Sequence, residues 1–347
     1  MSSKRVLILV PHSVAEDNGI TIRSKAICVV LQHNYHVTTL SSRTPYSANV
    51  LVIIAGFVAW MFKLLFVIPP QRVDCIYCCA DNFGFVSSYI LSKALGFRVV
   101  FEAHGILSEE NIVKKRPATL IRACSVIERF VISRADYVVA LSGDVFEFYK
   151  KYNAQIEVIP VFLDERRYKK RQSDPRDVKN IGLIGPFDMP ANKYSVEFLY
   201  KHIDEFDPRI RFTVIGKCGW KIANDRITYT DYISSRETYL AELSSLDALL
   251  VPANVSTSGP LTKILEAMAT SLPVFATPAA LNGLDYAEDG KNIVVADQNE
   301  LVARVNSVVF DQALSSQLGV NARCLAEKRY SGTANSVRLM AIIDSLW

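Results

Sequence analysis

Short apolar, β-branched runs alternate with stretches of helical spacing along almost the whole chain, and this alternation limits the fold more than any other feature. The runs fall at 5–11, 36–41, 75–80, 99–104, 136–142, 180–186, 210–216, 248–253, 273–278 and 292–296. Each is short enough to be a buried strand. Between them, 23–34, 87–95, 125–133 and 237–246 repeat apolar residues at helical intervals. Strand alternating with helix gives parallel sheets covered by helices on both faces. The runs are too many for one compact doubly wound sheet, and the basic, polar stretch between Asp164 and Lys179 divides them into two similar series. A chain of 347 residues can hold two domains, each with its own core. The expectation is an α/β protein of two Rossmann-like, doubly wound domains. The first covers 1–165, a linker 166–179 and the second 180–331, with a C-terminal helix at 332–347 packing back on the first.

Composition narrows the function. Half of the residues are hydrophobic and 21% are charged, a globular balance. A net charge of +4 is too small for a dedicated nucleic-acid binder but suits an anionic substrate or membrane surface. The seven cysteines are odd in number and scattered, and Cys75, Cys78 and Cys79 have no second Cys or His pair at zinc-ligand spacing. They read as small apolar core residues, and no metal site is expected. The chain opens on a short charged segment that runs straight into a strand, so no secretory signal is read and the expected location is cytoplasmic.

One segment departs from the alternation. Residues 49–69 are almost wholly apolar, with Lys63 the only charge. That length approaches a membrane span. The charge and the absence of a partner segment favour a helix lying in the membrane interface through 50–68, with Trp60, Phe62 and Phe66 as interfacial aromatics. A buried helix is the alternative, and with an interfacial helix the protein would sit on the inner face of the membrane.

In doubly wound sheets, ligands bind where strand ends lead into helix N-termini, whose free N–H groups favour phosphate. The clearest such junction runs from 251 to 270, where a strand ends, Gly259 and Pro260 follow a polar turn, and a helix begins. Glycine permits close backbone approach, and proline suits the first helical turn. Lys263 and Glu266 share a face of that helix. Lys263 can neutralise a diphosphate there, and Glu266 can accept two hydrogen bonds from a ribose, whereas the plainer alternative is a salt bridge between the two.

The segment STSGPLTKILEAMATSLPVFATPAALNGL, which starts at Ser256, resembles the nucleotide-sugar signature of the retaining glycosyltransferases of family 4, also called group 1. Glu266, Ala267, Met268, Ala269, Pro273 and Val274 carry the match. Weaker likeness extends to Phe101–Gly105, similar to the family's strand that ends in a His beside the donor sugar, and to 128–142, 158–164, 180–185, Asn192 and Lys193. Two charges of the family pattern are absent: its first Glu falls at Ser258 and an Arg of the donor-domain loop at Pro186.

The resemblance implies the GT-B fold, with the two domains facing each other across a cleft. It implies metal-independent transfer of a hexosyl-type sugar, with retention, from a nucleoside diphosphate sugar to an acceptor hydroxyl, and no cofactor. The apolar segment and the basic clusters, rather than the resemblance, point to a lipid-linked or cell-surface saccharide of polysaccharide biosynthesis as the acceptor. The resemblance implies His104, Lys263 and Lys193 as catalytic residues, with His104 reading by itself either as a contact to a sugar hydroxyl or phosphate or as a satisfied core histidine. Donor contacts would come from Gly185, Lys193, Lys217, Ser258, Gly259, Pro260, Leu261, Thr262, Lys263 and Glu266. Asn18, Gly19, Thr21, Asp81 and Asn82 would line the acceptor side. Arg23 reads either as a helix-surface charge or as an acceptor contact. A sugar-nucleotide epimerase on the same fold, or a non-catalytic partner subunit that lost the two charges, are the competing functions.

Overall fold

The computed structural model describes residues 4–11, 19–41, 50–113, 115–171, 177–188, 190–256 and 260–347. The chain divides into two compact units, 1–163 with 335–347, and 164–334.

In the first unit the elements run β1 (Arg5–Val10), α1 (Gly19–Leu31), β2 (His36–Ser41), α2 (Val50–Gln71), β3 (Cys75–Cys79), α3 (Asn82–Leu95), β4 (Arg98–Ala103), α4 (Leu107–Val113), α5 (Ala118–Arg134), β5 (Tyr137–Ala140), α6 (Gly143–Tyr149) and β6 (Ile156–Val158). All strands pair in parallel in the order β2-β1-β3-β4-β5-β6. Alternate residues of β1 feed two different cores, as the pleat requires. Leu7 and Leu9 pack with Trp60, Leu64 and Ile68 of α2 and with Val131 of α5. Val6, Ile8 and Val10 pack with Ile27 of α1 and with Leu339, Ile342 and Ile343 of the last helix. Burying each such side chain fully is worth about 1.5–3 kcal/mol.

The second unit runs β7 (Lys179–Ile184), α7 (Pro190–His202), β8 (Ile210–Ile215), β9 (Ile227–Asp231), α8 (Arg236–Ser245), β10 (Ala248–Val251), α9 (Thr262–Ala269), β11 (Val274–Ala276), β12 (Val294–Val295), α10 (Gln298–Val308) and α11 (Gln312–Arg329). Its sheet is also parallel, in the order β12-β11-β10-β7-β8-β9. The last helix, α12 (Gly332–Asp344), begins in the second unit and ends in the first. There Arg338 bonds Glu157 at 2.7 Å, and Tyr35 donates to Asp344.

A repeated aspartate helps to set the strand registers. Asp74, Asp136 and Asp247 stand just before β3, β5 and β10, and each accepts a backbone N–H from the first two residues of a neighbouring strand, from Arg5, Val99 and Asn180, all at 2.8 Å. These bonds satisfy strand-end donors that would otherwise lack partners.

Two expectations change. The basic stretch read as a linker is folded onto the second unit where it is described: Tyr168 is buried, and its carbonyl accepts from Arg323 at 3.0 Å. Helix α2 is one-sided, because Trp60, Leu64 and Ile68 form a buried stripe at four-residue spacing while Phe62 is 58% and Phe66 78% exposed. Trp60 is therefore a core residue and not an interfacial one. No described helix is long and apolar enough to cross a membrane.

Candidate functional site

The carboxyl ends of β7, β8 and β10 in the second unit bring together most of the residues singled out for the donor. Gly185 and Gly216 follow β7 and β8, and their backbones touch: a Cβ on Gly216, whose φ is +126°, would lie 2.3 Å from the Gly185 carbonyl oxygen. Only glycine fits that position, and the result is a glycine floor of main chain against main chain, with the Asn192 amide packed on Gly185.

Lys263, in the first turn of α9, reaches under this floor. Its Nζ donates to the Ile184 carbonyl and to Asn192 Oδ1, both at 2.8 Å. Burial lowers its ammonium to about 8, because no anion compensates for the water it has lost. The cap residue of α9, Leu261, offers no side-chain bond to the helix N–H groups. Among the described residues the Lys263 ammonium meets no counter-anion and the α9 cap residue gives no side-chain bond, which together make the electrostatic pattern of an anion site. Pro260, Leu261 and Thr262 are half-buried beside it. Ser258 and Gly259 lie outside the described residues.

Lys193 and Lys217 stand further out, each already facing a carboxylate: Lys193 is 3.4 Å from Glu197, and Lys217 is 3.2 Å from Asp188. Lys193 also lies 5.6 Å from the Trp220 ring.

Glu266 is held differently from the expectation. It makes no pair with Lys263. Its Oε1 accepts from Tyr168 at 3.0 Å and from Arg236, and its Oε2 accepts from Tyr239 at 2.8 Å, so a buried carboxylate has three protein donors. Ribose hydroxyls would have to displace or supplement these. Sequence reasoning missed Tyr168, Arg236 and Tyr239, which come from a basic stretch and from α8 and show no shared spacing with α9.

The first unit presents a second cluster at the end of β4. Glu102 is fully buried, with Arg23 Nε and Nη2 at 3.2 and 3.0 Å from Oε2, Tyr77 OH at 2.6 Å from the same oxygen, and His104 Nε2 at 2.6 Å from Oε1. Burial pushes the Glu102 carboxyl up, but Arg23, His104 and Tyr77 outweigh it and hold the carboxyl at about 2. Arg23 is thus neither a surface charge nor an exposed acceptor contact: it has no exposed surface. Asp81 caps α3 by accepting from Gly84 N at 2.7 Å, and Asn82 is half-buried at its start. Gly19 opens α1, whereas Thr21 is fully buried and presents no surface to an acceptor. Asn18 lies outside the described residues.

A separate concavity of about 420 Å³, lined by Lys170, Arg171, Lys179 and Asp247, opens at the opposite, N-terminal edge of the second sheet. Parallel sheets bind ligands at their carboxyl ends, so it is not the candidate site. Among the described residues no group of three side chains is arranged to hold a metal ion.

Two parallel six-stranded units of this topology define the GT-B fold of glycosyltransferases. Residues 178–311, inside the second unit, match the family described as glycosyl transferases group 1. The chain is similar to sucrose-phosphate synthase from Thermosynechococcus elongatus, with a TM-score of 0.81, 15% identity and 99% of each chain covered. It is also similar to Anabaena HepE in complex with UDP and glucose, with a TM-score of 0.72, 15% identity and coverage of 98% and 99%. The lipopolysaccharide outer core galactosyltransferase WaaB matches with a TM-score of 0.69, 13% identity and coverage of 99% and 100%. Among curated proteins no sequence matches the chain.

Proposed function

We propose that this protein transfers a hexosyl group from a nucleoside diphosphate sugar to an acceptor hydroxyl, with retention and without a metal. The observation that carries the reading is Lys263, half-buried and with no counter-anion among the described residues, beside a glycine floor and a helix start whose cap residue gives no side-chain bond. When the sugar leaves, negative charge builds on the departing β-phosphate, and preorganised N–H groups and an ammonium lower the barrier by stabilising that charge. The group 1 match over 178–311 and the UDP-bound HepE structure support a nucleoside diphosphate as the donor's carrier.

The acceptor is proposed to be a lipid-linked saccharide, with the first unit resting on the inner membrane surface. In support, Phe62, Phe66, Ile90, Val126 and Ile127 are exposed on α2, α3 and α5, and the basic residues Lys63, Lys93, Arg122 and Arg129 lie among them. Exposed aromatics mixed with cations fit an anionic lipid surface. A non-catalytic subunit remains the competing function, because Ser258 and Pro186 stand where the family carries charges and Glu266 is already bonded by three donors.

The test is release of the nucleotide, a diphosphate from UDP-, GDP- and ADP-sugars and CMP from CMP-sugars, with and without bacterial lipid extract. Acceptor-dependent release from one donor, lost in Lys263→Ala, supports the transferase. Release without acceptor points to hydrolysis, an isomerised donor points to the epimerase, and no reaction with any donor points to the subunit.

A further inference from the structure

Donors that cannot rotate away hold one side of the Glu102 carboxylate. Arg23 gives Oε2 two N–H groups and is itself pinned by the Pro160 carbonyl at 2.8 Å and the Phe162 ring at 4.1 Å. Tyr77 donates to the same oxygen. Arg23, Tyr77 and Glu102 have no exposed surface, whereas the His104 side chain is 19% exposed. Oε1 is left to His104.

We propose that Glu102 is a positioning residue that sets the tautomer of His104: it takes the proton-bearing Nε2 and leaves Nδ1 as a lone-pair acceptor for a sugar hydroxyl. An ionised carboxylate can only accept, so the ring nitrogen facing it carries the hydrogen. In the neutral imidazole the other nitrogen is then an acceptor. A hydroxyl can donate to that lone pair, whereas a phosphate oxygen would meet it lone pair to lone pair. The position therefore selects the sugar and not the diphosphate. The identity of the substrate rests on the transferase reading, but the tautomer does not.

The fixed arginine makes the idea testable by one atom. In Glu102→Gln the amide oxygen must stay on Arg23, which only donates, so the NH₂ turns to His104 Nε2. That nitrogen must then accept, and the ring proton moves to Nδ1.

The experiment is nitrogen-15 NMR of the imidazole in the uniformly labelled full chain at pH 8, with the His104 signals assigned by their loss in His104→Ala. The wild type is expected to show Nε2–H with bare Nδ1, and Glu102→Gln to show Nδ1–H with at least a tenfold loss of kcat and a smaller change in KM. Should Glu102→Gln fail to fold, the wild-type spectrum decides alone, and Tyr77→Phe is expected to keep the Nε2–H form. Nδ1–H in the wild type, or an unchanged spectrum in a folded Glu102→Gln, overturns the proposal. Absence of transfer by the wild type would defeat the transferase reading and leave the tautomer result standing.

Discussion

Near the carboxyl end of each sheet a buried carboxylate is held by an arginine and a tyrosine, Glu102 in the first unit and Glu266 in the second, and the two are held in different ways. Glu102 has an arginine, a tyrosine and a histidine, with the arginine wholly enclosed. Glu266 has an arginine and two tyrosines, and its Arg236 keeps 16% of its side chain exposed. An enclosed ion pair cannot rehydrate when one partner is lost, whereas a partner at the rim can. The first arrangement is a fixed device that ends on a histidine. The second is a clasp that water or a ligand hydroxyl can enter.

The largest effect should come from cutting the enclosed pair. Arg23→Met leaves Glu102 enclosed without its guanidinium, with only Tyr77 and His104 as donors, and urea denaturation should show a loss of about 3–5 kcal/mol. Arg236→Met should cost less than half as much, about 1–2 kcal/mol, because Arg236 sits at a partly exposed rim where water can take its place. Equal losses would break the comparison.

Next is the floor of the donor site. Gly216→Ala forces a Cβ against backbone that cannot yield, and nucleotide affinity should fall at least tenfold with the fold retained. Calorimetric titration with UDP and GDP measures it.

Acidity separates the two units further. The Glu102 carboxyl is held at about 2, below its unfolded value of about 4.3. A depressed carboxylate contributes stability that is complete above the unfolded value and is lost as pH falls through the folded one, so its contribution should decline between about pH 4.3 and 2. Arg23→Met should show a weaker decline in that window. Lys263 titrates at the other end. Its ammonium, lowered to about 8, loses its charge as pH rises past that value, and phosphate affinity should fall by up to about tenfold per pH unit above it. Lys263→Gln should bind weakly without that slope.

The smallest effect on stability is expected at the surface. Phe66→Ser should change folding by less than about 0.5 kcal/mol, yet reduce sedimentation with anionic vesicles. Unchanged sedimentation would remove the membrane reading.

The central strands of both sheets were legible because buried parallel strands are continuous apolar runs. The edge strands β6 and β9 were not, since their residues are largely half-exposed and carry no such run. Lys263 was legible from the strand–turn–helix junction. The holders of Glu266 were not, because Tyr168 and Arg236 lie 98 and 30 residues away and meet it only through the fold. Arg23 misled for a physical reason: a charge on a helix usually reaches water, and only the distant Glu102 makes its enclosure tolerable.

The most direct test of the donor assignment is calorimetric titration of UDP, GDP, ADP and CMP into the wild type and Lys263→Ala at pH 7. One nucleotide should bind the wild type, and its affinity should fall at least tenfold in the variant. Binding of none of them, or equal binding by both proteins, would contradict the assignment of the second unit as a nucleotide-sugar site.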